Sequence, residues 1–197
     1  RQYQTERSYD ISDFGGMWLY TQPWRDMEWQ AGPSFREIVV GGRSVGEVYG
    51  VQTSLWNQGA GCRYAPRLEL ERRQYRESGY YSNSIPWLGG VIRCERSNYL
   101  YGLSGRYGLD YPQSGRPGGR TDKMEWMAFA KYQINPVWSL ETSLGYSKHQ
   151  DQETYSPLVA DGAPRQVDRW VGRLGVDWNA KAIGYKDMYV SAYYDYY

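Results

Sequence analysis

The sequence lacks most of the signals that identify metalloproteins and helical membrane proteins. It has no run of about 18 consecutive apolar residues, which excludes a transmembrane helix. It has one histidine and two cysteines with no Cys-x-x-Cys pair, so a metal site is not expected. No cofactor is predicted from this composition.

Neither sign of charge is in excess, and phenylalanine is scarce. The 23 Lys and Arg residues nearly balance 22 Asp and Glu, which argues against a nucleic-acid partner. Only 3 Phe accompany 21 Tyr and 9 Trp. Tyr and Trp carry an apolar body and a polar tip, the chemistry favoured at a membrane–water interface. A mean hydropathy of -0.77 is compatible with a barrel, because only every second residue of its strands meets lipid.

What the chain does contain is a period of two. In residues 99–111 and 170–178, aromatic or aliphatic residues alternate with small or polar ones. This alternation is typical of β-strands with one apolar and one polar face. The chain of 197 residues is therefore predicted to be one all-β domain, residues 1–197, with about ten antiparallel strands. The sequence opens in a polar run at Arg1 and stops at Tyr197 inside an alternating segment, so we expect a fragment of a longer chain.

The connections between the later strands are predicted to alternate in length. Residues 112–122 and 148–168 are polar and read as long loops, whereas 135–136 and 180–186 read as short turns. Long loops at one end and short turns at the other are typical of an up-and-down transmembrane β-barrel.

Aromatic residues bracket the apolar faces of the strands. Trp170 and Trp178 are eight positions apart, which at roughly 3.3 Å per residue and a tilt of about 40° spans on the order of 20 Å of membrane. A sandwich core would favour Val, Ile, Leu and Phe instead. The predicted membrane-interface aromatics are Tyr99, Tyr111, Trp126, Trp138, Tyr146, Trp170 and Trp178.

Charged residues collect on the opposite parity. On a soluble sandwich they would simply be solvated, but in a barrel they would line the lumen and pair across strands. The predicted lumen-lining residues, to which a cargo would bind during translocation, are Arg67, Glu69, Glu71, Arg73, Arg106, Glu125, Lys131, Glu141, Arg173 and Asp177.

Three smaller features leave alternatives open. Cys62 and Cys94 fit either a disulfide or two free thiols. Ser147 and His149 could share one strand face, but a histidine in an exposed polar loop explains the same pattern, and no enzyme activity is predicted. The arginines of the 112–122 loop suit either lipopolysaccharide phosphates or solvent.

The sequence segments 63–76, 126–151 and 169–178 resemble the C-terminal outer-membrane β-barrels of tetratricopeptide-linked export proteins. The resemblance is to the surface lipoprotein assembly modifier family and to exopolysaccharide porins, and covers about half of the chain. It implies the outer membrane of a Gram-negative bacterium, contact with lipid and lipopolysaccharide, an exported polymer or protein as cargo, and room for a periplasmic partner. No tetratricopeptide repeats are present in this sequence.

The sequence thus predicts a non-enzymatic conduit that exports a hydrophilic polymer or polypeptide. Two alternatives remain. One is an outer-membrane structural or adhesion barrel with a filled lumen. The other is a soluble, aromatic-rich, carbohydrate-binding β-sandwich, for which the same alternation would build a core.

Overall fold

The protein is described from a computed structural model, which covers residues 11–57, 59, 61–76, 79–156, 159–179 and 189–196. The described residues form one antiparallel sheet of 11 strands that curves into a half-barrel. No helix among them is long and apolar enough to cross a membrane. The strands are β1 (Ile11–Met17), β2 (Tyr20–Trp24), β3 (Met27–Val40), β4 (Arg43–Asn57), β5 (Cys62–Tyr75), β6 (Asn83–Arg96), β7 (Tyr99–Pro112), β8 (Thr121–Gln133), β9 (Trp138–Ser156), β10 (Val159–Asn179) and β11 (Tyr189–Tyr196).

The strand order follows the chain, as in a meander. β1 and β2 both pair with β3, β1 along its C-terminal half and β2 along its N-terminal half. From β3 to β11 each strand pairs with the next. The all-β, antiparallel architecture predicted from the alternation is therefore present.

We call the two ends of the sheet the turn end and the loop end. The turn end carries the tight connections between β6 and β7 and between β8 and β9. At the latter, Asn135 Oδ1 accepts hydrogen bonds from the backbone N–H of Val137 and Trp138 at 2.9 and 2.8 Å, which closes the predicted Asn-Pro turn. The loop end carries residues 113–120 between β7 and β8, and the Gly41–Gly42 turn, where both glycines have positive φ.

The predicted long loop at 148–168 is wrong, because β9 continues to Ser156 and β10 starts at Val159. Beyond Tyr146 polar residues occupy both faces of this hairpin, so the alternation that marks a strand disappears there. The ladder of backbone hydrogen bonds nevertheless persists along the extension. The predicted turn at 180–186 lies outside the described residues.

The sheet buries its polar face and exposes its apolar one. Leu88 is 62% exposed and Trp170 is 60% exposed, whereas Asp110 and Asp177 are each 1% exposed. A soluble sheet shows the reverse arrangement. Within the described residues no second sheet packs on the exposed apolar side, since all strands belong to one sheet.

The polar side is the concave one. Ion pairs there join strands that are not neighbours: Arg106 of β7 reaches Glu69 of β5, and Lys131 of β8 reaches Asp177 of β10. Side chains on the inside of a curved sheet converge in this way, whereas those on the outside diverge. We call this side the charged face and the other the apolar face.

Cys62 and Cys94 form a disulfide. They are directly opposed in the pairing of β5 with β6, with their Cα atoms 4.0 Å apart. The bond lies near the turn end and ties together two strands whose cysteines are separated by 32 residues of sequence.

Candidate functional site: the charged face of the sheet

The register places all ten predicted lumen-lining residues on the charged face. One cross-strand row runs from Arg67 through Gly89 and Arg106 to Glu125. The other predicted residues of β5 and β8 lie an even number of positions from that row. Lys131 of β8 is the cross-strand partner of Glu141 of β9, and this pair extends the same face to the later strands. Residues of one face share this parity because side chains alternate along a strand.

Arg106 is the centre of the middle cluster. Its guanidinium lies 2.7 Å from Glu125 on one side and 3.2 Å from Glu69 on the other. Arg67 adds a second contact to Glu69 at 2.9 Å. The guanidinium of Arg106 also lies 4.0 Å from the centre of the Trp87 ring, a cation–π contact. A cavity of about 430 Å³ opens beside these residues.

Glycines on β7 make room for this packing. A β-carbon at Gly108 would lie 2.4 Å from the Trp87 ring, and one at Gly102 would lie 2.5 Å from the Phe129 ring. Both aromatic residues are the direct cross-strand partners of these glycines. The glycines therefore let large rings lie across the sheet between the charged side chains.

A second cluster at the loop end surrounds Asp110. This carboxylate accepts from Lys123 at 2.6 Å and from the amide of Asn83 at 3.0 Å, and Arg116 lies 3.4 Å away. Among the predicted residues, Glu71 and Arg73 pair with each other at 2.5 Å alongside it. The sequence did not single out Asp110, because its parity is readable but its burial depends on β8 and on the following loop.

Asp151 extends this cluster. It lies in the segment 148–168, which the sequence predicts to be a loop. It is 2% exposed, accepts from the Thr121 hydroxyl at 2.6 Å and pairs with Arg165 at 3.1 Å. Both arms of the long hairpin thus contribute to the charged face. Only the pairing of β9 with β10 brings the two residues together.

A third cluster lies toward the turn end. Lys131 forms an ion pair with Asp177, and the Ser139 hydroxyl lies 3.4 Å from the same carboxylate. Glu141 is half-buried and Arg173 exposed on the same face. The structure brings Lys131 and Asp177 together in this cluster.

The loop arginine Arg116 does not point into solvent. Its side chain is 12% exposed and donates to the Thr121 hydroxyl at 3.1 Å and to the Gly119 carbonyl at 3.2 Å. Gly118 and Gly119, both with positive φ, bring the loop against β9, and the Glu153 N–H donates to the Gly118 carbonyl at 3.0 Å. Arg116 is therefore not a solvated side chain, and contact of this loop with lipopolysaccharide stays a prediction.

All seven predicted interface aromatics lie on the apolar face, most of them in two rows. Near the turn end Tyr99 stacks with Tyr132 at 4.8 Å between ring centres, and Trp138 lies 6.4 Å from Trp178. Near the loop end the rings of Tyr146 and Trp170 lie 4.8 Å apart. Trp126 is the cross-strand partner of Tyr146, and Tyr111 lies at the loop end of β7.

Carboxylates lie one step beyond the loop-end row. The Tyr146 hydroxyl donates to Asp168 at 2.6 Å and Gln166 donates to the same carboxylate at 2.8 Å, which lowers the pKa of Asp168. On β4 the Tyr49 hydroxyl likewise donates to Glu47 at 2.5 Å, which, together with Arg76, lowers the pKa of Glu47. The phenol hydroxyls of Tyr146 and Tyr49 therefore point toward the carboxylates that lie beyond the aromatic row.

Among the described residues, no serine, histidine and acid are joined by hydrogen bonds into a catalytic set. His149 and Ser147 share the charged face, and His149 Nε2 lies 4.0 Å from Glu125. Residues 42–46 match the Gly-x-Ser-x-Gly pattern, but they form a hairpin turn and the start of β4, whereas a nucleophile elbow joins a strand to a helix. Within the described part of the chain, no group of three His, Cys, Asp or Glu side chains could hold a metal ion.

Comparisons of the chain with protein families, with curated proteins and with solved structures returned no match.

Proposed function

We propose that the chain forms part of a transmembrane β-barrel in the outer membrane of a Gram-negative bacterium, and that its charged face lines a conduit for a hydrophilic polymer or polypeptide. The observation that carries the proposal is the inverted sheet, with a charged, ion-paired concave face and an exposed apolar face. Exposure of the apolar face to water would cost free energy, and lipid covering this face would remove that cost.

The change from apolar to polar residues occurs at one level on neighbouring strands. Tyr146 and Trp170 are direct cross-strand partners. Two positions farther toward the loop end, the pair on the same face of these strands is Lys148 with Asp168. Between the two aromatic rows the outward residues of β9 are Leu140, Thr142 and Leu144. The distance between the rows, on the order of 20 Å along the membrane normal, approaches the height of a lipid-facing band.

A filled, structural barrel is the second candidate, and the ion pairs favour it specifically. Arg106 is neutralised by Glu69 and Glu125, and Lys131 by Asp177, so much of the charged face is paired within its own wall. Such ladders rigidify a barrel whether or not a channel remains open.

The test begins with detergent dependence. The full chain is refolded in an amine-oxide detergent and then into phosphatidylcholine vesicles, with and without brominated acyl chains. We expect bromine to quench tryptophan fluorescence, since Trp126, Trp138 and Trp170 would face lipid. A soluble, monomeric chain in plain buffer would overturn the barrel and favour the β-sandwich.

Conductance separates the two barrel candidates. A conduit gives a steady ionic current across a planar bilayer, whereas a filled barrel inserts with equal quenching and carries none. The quenching measurement on the same preparation serves as the control for insertion.

A further inference from the structure

A polar pocket of about 280 Å³ lies at the loop end of the charged face. Asn83 and Asp110 line it from β6 and β7, and Lys123 and Arg165 line it from β8 and β10. Four strands and the end of Arg73 on β5 thus converge on one space, which is larger than a single water molecule requires.

Two acceptors in this pocket are buried without a donor. Asn83 is 4% exposed; its amide nitrogen donates to Asp110, but its Oδ1 accepts no hydrogen bond. Asp110 is 1% exposed; its Oδ2 accepts from Lys123, whereas its Oδ1 accepts no hydrogen bond although Arg116 lies 3.4 Å away. Buried acceptors are rarely left unsatisfied, so both point to a missing donor.

The remaining walls carry donors and positive charge. Lys123, Arg73 and Arg165 present ammonium and guanidinium groups, which can only donate. A complementary ligand must therefore donate to Asn83 and Asp110 and also accept from the cations. Hydroxyl groups do both, and a carboxylate nearby would add a charge-assisted contact.

We propose that this pocket binds one hydroxyl-rich, sugar-sized unit, and binds a sugar acid more tightly than the neutral sugar. The proposal rests on the conduit function, because it assigns a chemical class to the cargo that would meet the charged face. A peptide offers backbone N–H and C=O groups at fixed spacing and lacks the adjacent donor–acceptor hydroxyls that the pocket requires.

Binding is measured by calorimetry on the full chain refolded in an amine-oxide detergent, which has no sugar headgroup to compete. The probes are D-glucose, D-glucuronate and tetraalanine. We expect D-glucuronate to bind more tightly than D-glucose, and tetraalanine not to bind. Asn83→Leu, which removes the unpartnered acceptor, is expected to weaken D-glucuronate binding by at least about tenfold.

Gln133→Leu is the matched control, since it is the same amide-to-leucine change on the same face at the opposite end of the sheet, and it should leave binding unchanged. Arg165→Gln covers the case in which Asn83→Leu does not fold, because the Arg165 side chain is 48% exposed. It should reduce the preference for D-glucuronate over D-glucose.

The proposal is overturned if neither sugar binds, if Asn83→Leu binds as the native chain does, or if a high-resolution structure shows ordered water alone on both acceptors. The lipid-quenching measurement on the same samples keeps the two proposals apart. Insertion without sugar binding removes only the pocket, whereas sugar binding by a chain that does not insert removes the conduit.

Discussion

The indole ring of Trp87 fills the space that a side chain at Gly108 would need. The two residues are direct partners on β6 and β7, and a β-carbon at Gly108 would lie 2.4 Å from the ring. The same ring supports the guanidinium of Arg106 from 4.0 Å. The absence of a side chain at Gly108 thus leaves room for the Trp87 ring, and this ring in turn positions the guanidinium of Arg106.

Gly108→Ala is expected to lower the free energy of unfolding by about 1–3 kcal/mol, because the new methyl group forces the Trp87 ring to move. Gly172→Ala is the matched control, since nothing lies within 4 Å of its β-carbon position. Urea unfolding of the two variants in the same detergent gives the comparison. Equal midpoints would contradict the packing described for Trp87.

Leu144→Arg distinguishes lipid from water at the apolar face. Leu144 is 54% exposed and lies between the aromatic rows, so arginine would be tolerated in water but would cost about 2–4 kcal/mol at the centre of a bilayer. Gln150→Arg, on the same face of β9 beyond the loop-end row, should have little effect. Refolding yield and unfolding midpoint in vesicles report the difference, and identical values for both variants would contradict a lipid-facing Leu144.

Reduction of the Cys62–Cys94 disulfide is expected to destabilise the fold by about 4 kcal/mol, because the bond closes a loop of 32 residues in the unfolded chain. Urea unfolding with and without dithiothreitol measures the change. A Cys62→Ser, Cys94→Ser double variant should be insensitive to the reductant, which isolates the effect of the bond.

Arg106→Gln is expected to shift the conduit toward cation selectivity, since it leaves Glu69 and Glu125 without the cation that joins them. The reversal potential across a planar bilayer under a salt gradient measures the shift. Arg72→Gln removes an arginine of opposite parity on β5 and should not move the reversal potential. An unchanged potential in Arg106→Gln would place this arginine outside the ion path.

Tyr146→Phe is expected to raise the pKa of Asp168 toward its ordinary value of 3.8, because the phenol hydrogen bond is the largest influence that lowers it. The depressed pKa means that this contact stabilises the fold above pH 3.8 and ceases to do so as the pH falls through the folded-state pKa. Carboxyl NMR titration reads the shift directly. Tyr99→Phe should leave the Asp168 titration curve in place.

The alternation predicted strands and faces correctly wherever one side of the strand is apolar. It failed along β9 and β10 beyond Tyr146, where polar residues occupy both faces of the strands. A period of two reports a difference in environment between the faces of a sheet. Where the environments are alike, the pattern carries no information about the strand.

The sequence predicted which residues lie on the charged face, but not which of their side chains contact one another. Glu69 and Arg106 are 37 residues apart, and they meet because β5, β6 and β7 have one particular register. Asp110 and Asp151 are buried by contacts from strands on both sides of their own, and Arg116 turns inward through two glycines with positive φ. None of these contacts leaves a local signal in the sequence.

The sequence by itself determined that the chain forms strands, which residues share a face, and that aromatic side chains bracket the apolar one, because these properties follow from alternation along a single strand. Only the tertiary structure decided which charges meet, how the polar face became the concave and buried one, and where the loop-end pocket lies. Those properties depend on register and curvature, which arise when strands distant in sequence pair across the sheet.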